Sequence, residues 1–164
     1  MDWYEQIIHY LDENQLTLST AESCTAGLIV AHLAAIPGCG SVLDCGYVVY
    51  SPEAKNRCLG VSFDTMKRYN LTSEEVAREM AVGALTRSAA HIAVSNTGVA
   101  GDGGEGDIPP NTICFAWAIG RGDAEPMVYS ETRRFQGARN EVRHAAAEYA
   151  VRRIPHFHQL SRKS

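Results

Sequence analysis

The chain has 164 residues, of which 45% are hydrophobic and 21% charged, and its formal net charge is −4. That length suits one domain with a real core, burying about two-thirds of the surface an unfolded chain would expose. The mildly acidic balance argues against a general nucleic-acid or membrane surface, so a small anionic ligand would need a local positive site such as an arginine or a helix N-terminus.

In chain order, Trp3, Ile7, Tyr10 and Leu11 fall at helical spacing and predict an amphipathic helix over 2–13. Leu16 and Leu18 alternate with polar residues, predicting a short strand that ends near Thr20. Residues 25–36 (TAGLIVAHLAAI) read as an apolar helix stopped by Pro37-Gly38. The aromatic and β-branched run 43–50 (LDCGYVVY) predicts a strand. Ser51-Pro52 then reads as an N-cap followed by proline at the first helical position, with that helix running to about Cys58 and Gly60 beyond its end. Thr72 and Glu75 have capping-box spacing and predict a helix through about Ala89. Residues 91–96 (HIAVSN) predict a buried strand, and 98–110 (GVAGDGGEGDIPP) a glycine- and proline-rich loop. Two strands are expected near 111–119 and 126–134, then a helix over 138–153 ended by Pro155, and a basic tail, 154–164, that frays.

Five cysteines are an odd count, and no pair has CxxC spacing. The N-terminus (MDWYEQIIHYLDEN) is acidic and amphipathic, unlike a signal peptide. Reduced thiols and a cytoplasmic location are therefore expected, without a structural zinc. No apolar stretch is long enough to span a bilayer. Helices alternating with strands imply a three-layer α/β/α sandwich with a mostly parallel sheet and an antiparallel hairpin at one edge. Ligands of such sheets bind at the carboxyl ends of the strands. Ser23, Tyr50 and Thr97-Gly98 would all arrive at that rim.

Four segments can carry chemistry. In AESCTAG (21–27), Ser23 stands where a strand hands over to a helix, whose free N–H groups can hold an oxyanion or a phosphate. Ser23 is a nucleophile if a base lies within reach; otherwise Ser23 or Thr25 simply caps the helix. Cys24 is a rival nucleophile, since helix N-termini favour thiolates. In GYVVYSPEAK (46–55), Lys55 lies in the first turns of a helix after a buried strand. A dry pocket and the helix field both disfavour its charged form, which suits a general base; the alternative is an ordinary surface lysine. Tyr50 would orient that lysine or donate to a developing negative oxygen, or be a half-buried aromatic at a strand end. The loop TGVAGDGG (97–104) lets backbone N–H groups approach a ligand, yet it is neither a Walker loop nor a dinucleotide fingerprint. In FQGAR (135–139), Arg139 opens the last helix, where a cation opposes the dipole; that placement suits a phosphate or carboxylate, or is a solvated arginine.

Taken together these segments, with PGCGSVLDCG (37–46), LGV (59–61) and SEEVAREMAVGAL (73–85), resemble the CinA C-terminal domain family of nicotinamide-nucleotide amidohydrolases, from about residue 5 to 153. The resemblance implies hydrolysis of nicotinamide mononucleotide to nicotinic acid mononucleotide and ammonia. It implies Ser23, Tyr50 and Lys55 as the catalytic group, and Cys24, Thr25, Gly46, Thr97, Gly98 and Arg139 around the substrate. Arg139 would lie near the phosphate, and N–H groups after Ser23 would hold the oxyanion. It implies no metal or organic cofactor. The partners expected are a small nucleotide and further copies of the chain in a homo-oligomer, with neither nucleic acid nor membrane. The chain departs from the family at Ala26, where AESCTGG is usual; at Asn96 and Asp102; and at 108–112, which lacks the lysine and glycine of KPVGT. A silent ligand-binding or competence- and damage-associated module, and an amidase for another small amide, are the competing readings.

Overall fold

The computed structural model describes residues 2–164. Asp2 caps the first helix, α1 (Trp3–Glu13): its carboxylate accepts the Glu5 N–H at 2.9 Å, and Glu5 accepts the Asp2 N–H at 3.1 Å. Five strands follow in one sheet: β1 (Leu18–Glu22), β2 (Leu43–Val48), β3 (Ile92–Val99), β4 (Thr112–Arg121) and β5 (Ala124–Arg134). Their spatial order is β2-β1-β3-β4-β5. The pairings of β1 with β2 and with β3 are parallel, and those of β4 with β3 and with β5 are antiparallel. The sheet is thus evenly mixed rather than mostly parallel, because β4 returns beside β3 and carries a full ladder on both edges. The α/β class and the edge hairpin stand.

Helices cover both faces. On one lie α1, α2 (Leu28–Ala34), α6 (Arg139–Arg152) and α7 (Ile154–Ser161), around Leu18, Ile92, Ile113, Phe115 and Trp117. On the other lie α3 (Pro52–Leu59), α4 (Phe63–Tyr69) and α5 (Glu74–Thr86), around Ala21, Ala93, Cys114, Ala116 and Ala118. The period-2 alternation of β4 therefore sorts large side chains to the first face and small ones to the second. Trp117 is fully buried, with its indole N–H donating to the Ala150 carbonyl at 2.9 Å. Small side chains let α5 lie close to the sheet, and α3 crowds α5 in turn. A Cβ built on Gly83 would stand 2.1 Å from the Leu59 carbonyl oxygen. Alanine normally favours a helix over glycine by about 1 kcal/mol. Here the sign should reverse: Gly83→Ala is expected to destabilise by about 2–3 kcal/mol through overpacking, read by chemical denaturation.

Several boundaries differ from expectation. The second helix starts at Leu28, because 23–27 form a tight turn instead. The cap of α5 is Ser73, whose hydroxyl accepts the Val76 N–H at 3.2 Å, and the helix ends at Thr86. Helix α4, seven residues capped by Ser62, was not expected. Most of the tail is helical: Pro155 lies in the first turn of α7, where a missing N–H costs nothing. Ile154 and Phe157 are buried, and His158 Nδ1 lies 2.7 Å from the Tyr10 hydroxyl.

The chain leaves β1 for β2 on one side and returns through α3–α5 to β3 on the other. Its crossovers pass over opposite faces, opening a crevice beyond the carboxyl end of β1. Ser23 stands there. Among the described residues, no helix is long and apolar enough to cross a membrane.

Candidate active site

Ser51 caps α3 through the Ala54 N–H at 3.0 Å, and proline follows it. That start places Lys55 in the first turn with its side chain inward, 1% exposed. Its Nζ lies 3.1 Å from Ser23 Oγ, 3.0 Å from the Tyr50 carbonyl oxygen and 3.3 Å from that of Val49. Burial pulls the Lys55 pKa below the ordinary lysine value, with Cys24 opposing weakly. A neutral amine has two N–H donors and one lone pair. With the two carbonyls taking both donors, the neutral form would present its lone pair to the Ser23 hydroxyl, whereas in the charged form Nζ donates to Ser23 Oγ as well. Ser23 is 7% exposed, and its own N–H is held by the Asn96 carbonyl at 3.2 Å.

The other residues of the turn serve a different end. Glu22 is fully buried, and its carboxylate accepts the hydroxyls of Thr25 (2.6 Å) and Thr20 (3.2 Å). It also accepts the N–H groups of Gly27 (3.1 Å), Ile29 (3.0 Å) and Val30 (3.3 Å). The start of α2 is therefore filled by an internal anion rather than open to a substrate. Asn96 closes the network: its Oδ1 accepts the Cys24 thiol at 3.3 Å and the Thr25 N–H at 3.4 Å, and its Nδ2 donates to Thr25 Oγ at 2.8 Å. Burial pushes the Cys24 thiol up to about 12 despite the pull of Arg143, so it is no thiolate at neutral pH. From α6, Arg143 Nε donates to the Cys24 carbonyl at 2.9 Å and Nη2 to that of Thr25 at 3.4 Å, clamping the turn.

The turn also carries strain. Ala26 adopts φ +49° beside Gly27 at +97°. The left-handed region costs a non-glycine residue about 1–2 kcal/mol, part of which glycine gives back in unfolded-chain entropy. Ala26→Gly should accordingly stabilise the fold by up to about 1 kcal/mol, read as a raised denaturant midpoint.

A cleft of about 610 Å³ opens beside the turn, lined among others by Cys24, Tyr50, Gly98, Asp102, Glu105 and Arg139. Tyr50 is 57% exposed, and its phenol oxygen accepts from Arg139 Nη2 at 3.2 Å, while Arg139 Nη1 donates to the Ala100 carbonyl at 2.5 Å. The structure thus brings Tyr50, Cys24, Gly98 and Arg139 to the cleft wall, with Ser23 and Lys55 buried next to Cys24 and Tyr50 rather than in the wall itself. It spends Thr25 inside the network, and Thr97 donates its hydroxyl to the Leu71 carbonyl at 2.9 Å. Gly46 is absent from the cleft wall; a Cβ there would meet Val30 Cγ2 at 2.7 Å, so it serves the close packing of β2 on α2. Sequence reasoning missed Glu22, Asn96 and Arg143. Asn96 showed only as a departure from the family pattern, and Arg143 left a spacing signal: it stands one helical turn after Arg139, on the same face.

A family model for the CinA C-terminal domain matches residues 2–157. The nicotinamide-nucleotide amidohydrolase PncC of Shigella flexneri is 39% identical over 94% of this chain and 92% of its own length. A CinA-like protein of Chlorobium limicola is 40% identical over 90% of this chain. The chain spans only about a third of that longer relative (35%). Among solved structures, a competence-damaged protein (CinA) superfamily member from Escherichia coli superposes with TM-score 0.84 at 34% identity, covering 91% of this chain and 84% of the other. The competence/damage inducible protein CihA of Agrobacterium tumefaciens gives TM-score 0.80 at 33% identity, covering 92% and 93%.

Proposed function

The chain belongs to the CinA C-terminal domain family, and on that footing we propose that it hydrolyses an amide: nicotinamide mononucleotide, giving nicotinic acid mononucleotide and ammonia. One observation carries the reading. A buried amine with depressed basicity stands 3.1 Å from a serine hydroxyl, with two carbonyl oxygens also within hydrogen-bond distance of it.

In this mechanism Lys55 takes the Ser23 proton as Oγ bonds to the carboxamide carbon. The C–N bond breaks, and the proton passes from Lys55 to the leaving nitrogen, releasing ammonia. Lys55 then takes a proton from water as the water oxygen bonds to the acyl carbon; the acyl C–Oγ bond breaks, Lys55 returns the proton to Ser23 Oγ, and the acid leaves as its carboxylate, releasing its proton to solvent. Tyr50 holds the base through its carbonyl, and Arg139 receives the phosphate. The reading includes one domain, supported by near full-length alignment with the Shigella protein. It includes a cytoplasmic setting, supported by five free cysteines. It also includes a homo-oligomer, which light scattering would test.

The deciding experiment is ammonia release from nicotinamide mononucleotide by the purified protein, with Ser23→Ala as control. Release that vanishes in the variant is the expected result, and no release from folded protein sinks this reading. A second reading, the same chemistry on another small amide, draws on Asp102 and Glu105, two carboxylates in a cleft that would receive a phosphate. Acylation of Ser23 by a reactive ester, without turnover of the nucleotide, would select it.

A further inference from the structure

Tyr50 is tied to both ends of the site. Its carbonyl oxygen and Ser23 Oγ both lie within hydrogen-bond distance of Lys55 Nζ, whereas its phenol lies across the cleft on Arg139. Arg139 in turn pairs with no carboxylate among the described residues; its partners are a neutral phenol and the neutral Ala100 carbonyl. A guanidinium held only by neutral oxygens exchanges them readily for an anion, since charge-assisted and bidentate bonds are roughly twice as strong. Of the N–H groups after Ser23, Glu22 and Asn96 hold those of residues 25, 27, 29 and 30 and the Ser23 carbonyl holds that of Ala26, so the Cys24 N–H is the backbone donor left beside the serine. A second donor beside the Cys24 N–H would complete the cradle for the oxyanion. The exposed Tyr50 phenol is one.

We propose that Arg139 is a positioning residue that couples the far end of the substrate to the chemistry: an anionic group on the substrate takes over the guanidinium, and the Tyr50 phenol released from it turns to the carbonyl oxygen that Ser23 attacks. This rests on the deamidation reading above. Its consequence is that the phosphate accelerates the chemical step and does more than improve binding. Remote binding energy is spent at the reacting centre, so a truncated substrate loses kcat as well as affinity.

The test compares nicotinamide mononucleotide with nicotinamide riboside, the latter with and without millimolar inorganic phosphite. The riboside should show kcat lower by at least about tenfold, and phosphite should restore it by at least about threefold. Arg139→Gln should abolish the phosphite effect, and Tyr50→Phe should bring the mononucleotide's kcat down towards the riboside's. A riboside that matches the mononucleotide in kcat and differs only in KM overturns the coupling, as does phosphite without effect on kcat. A second measurement is independent of turnover. In protein carrying ¹³C-labelled tyrosine, the Tyr50 resonance, assigned with Tyr50→Phe, should shift on phosphite titration in the native protein and stay fixed in Arg139→Gln. A resonance that ignores phosphite overturns the proposal whether or not the nucleotide is a substrate. Failure to deamidate the mononucleotide, with the shift intact, would instead remove only the deamidation reading.

Discussion

Ser23→Ala is expected to lower ammonia release from nicotinamide mononucleotide by about 10⁴-fold or more, as removal of a nucleophile does elsewhere. The loss would be chemical rather than structural. The hydroxyl's hydrogen bond is to Lys55, while the backbone of residue 23 stays fixed by the Asn96 carbonyl. Thermal unfolding should therefore be nearly unchanged, and the variant should still bind the nucleotide. Cys24 offers no bypass, because its thiol is buried, donates to Asn96 and keeps its proton far above neutral pH. An alanine variant with a tenth of native activity would mean that the serine is only a helix-turn residue.

Lys55→Met is expected to be almost as damaging, by about 10³-fold or more, because nucleophile and base act as a unit; the Ser23→Ala/Lys55→Met double variant should then be little worse than either single one. The lysine also gives a signature in pH. Burial lowers its pKa in the folded protein below the 10.5 of an ordinary lysine. Activity should rise with pH as the amine loses its proton, with a midpoint below that ordinary value. Stability has the same sign. Between the lowered pKa and 10.5 the unfolded chain binds more protons than the folded one, so stability should rise with pH across that window. Methionine carries no proton, so the variant's stability should lack that rise. Denaturation of both proteins at several pH values from neutral to mildly alkaline would show it; parallel curves would mean that Lys55 titrates as a solvated surface group.

Much of this site was legible in the sequence because its logic is local. Ser51, Pro52 and Gly60 bound one short helix, and that helix fixes where Lys55 points. The serine follows a strand whose parallel neighbours could be read from spacing. What stayed hidden was set by distant contacts. Nothing local says that Glu22 will turn back onto the N–H groups of residues 27, 29 and 30, or that Asn96 will meet Thr25. Thr25 and Thr97 look like ligand-facing hydroxyls until those partners are in place. Gly46 looks like a site glycine until Val30 is seen against it. Helix α4 has too few turns for its period to show, and Pro155 reads as a stop signal when it begins another helix. The parity of the sheet depended on β4 inserting beside β3, which no local pattern announces.

Glu22 has one more consequence. A helix start that already holds an anion from its own chain gives dissolved chloride, sulfate or phosphate little to occupy beside the serine. Salt sensitivity should then be divided across the cleft: the serine end indifferent to the composition of the buffer, and the arginine end governed by it.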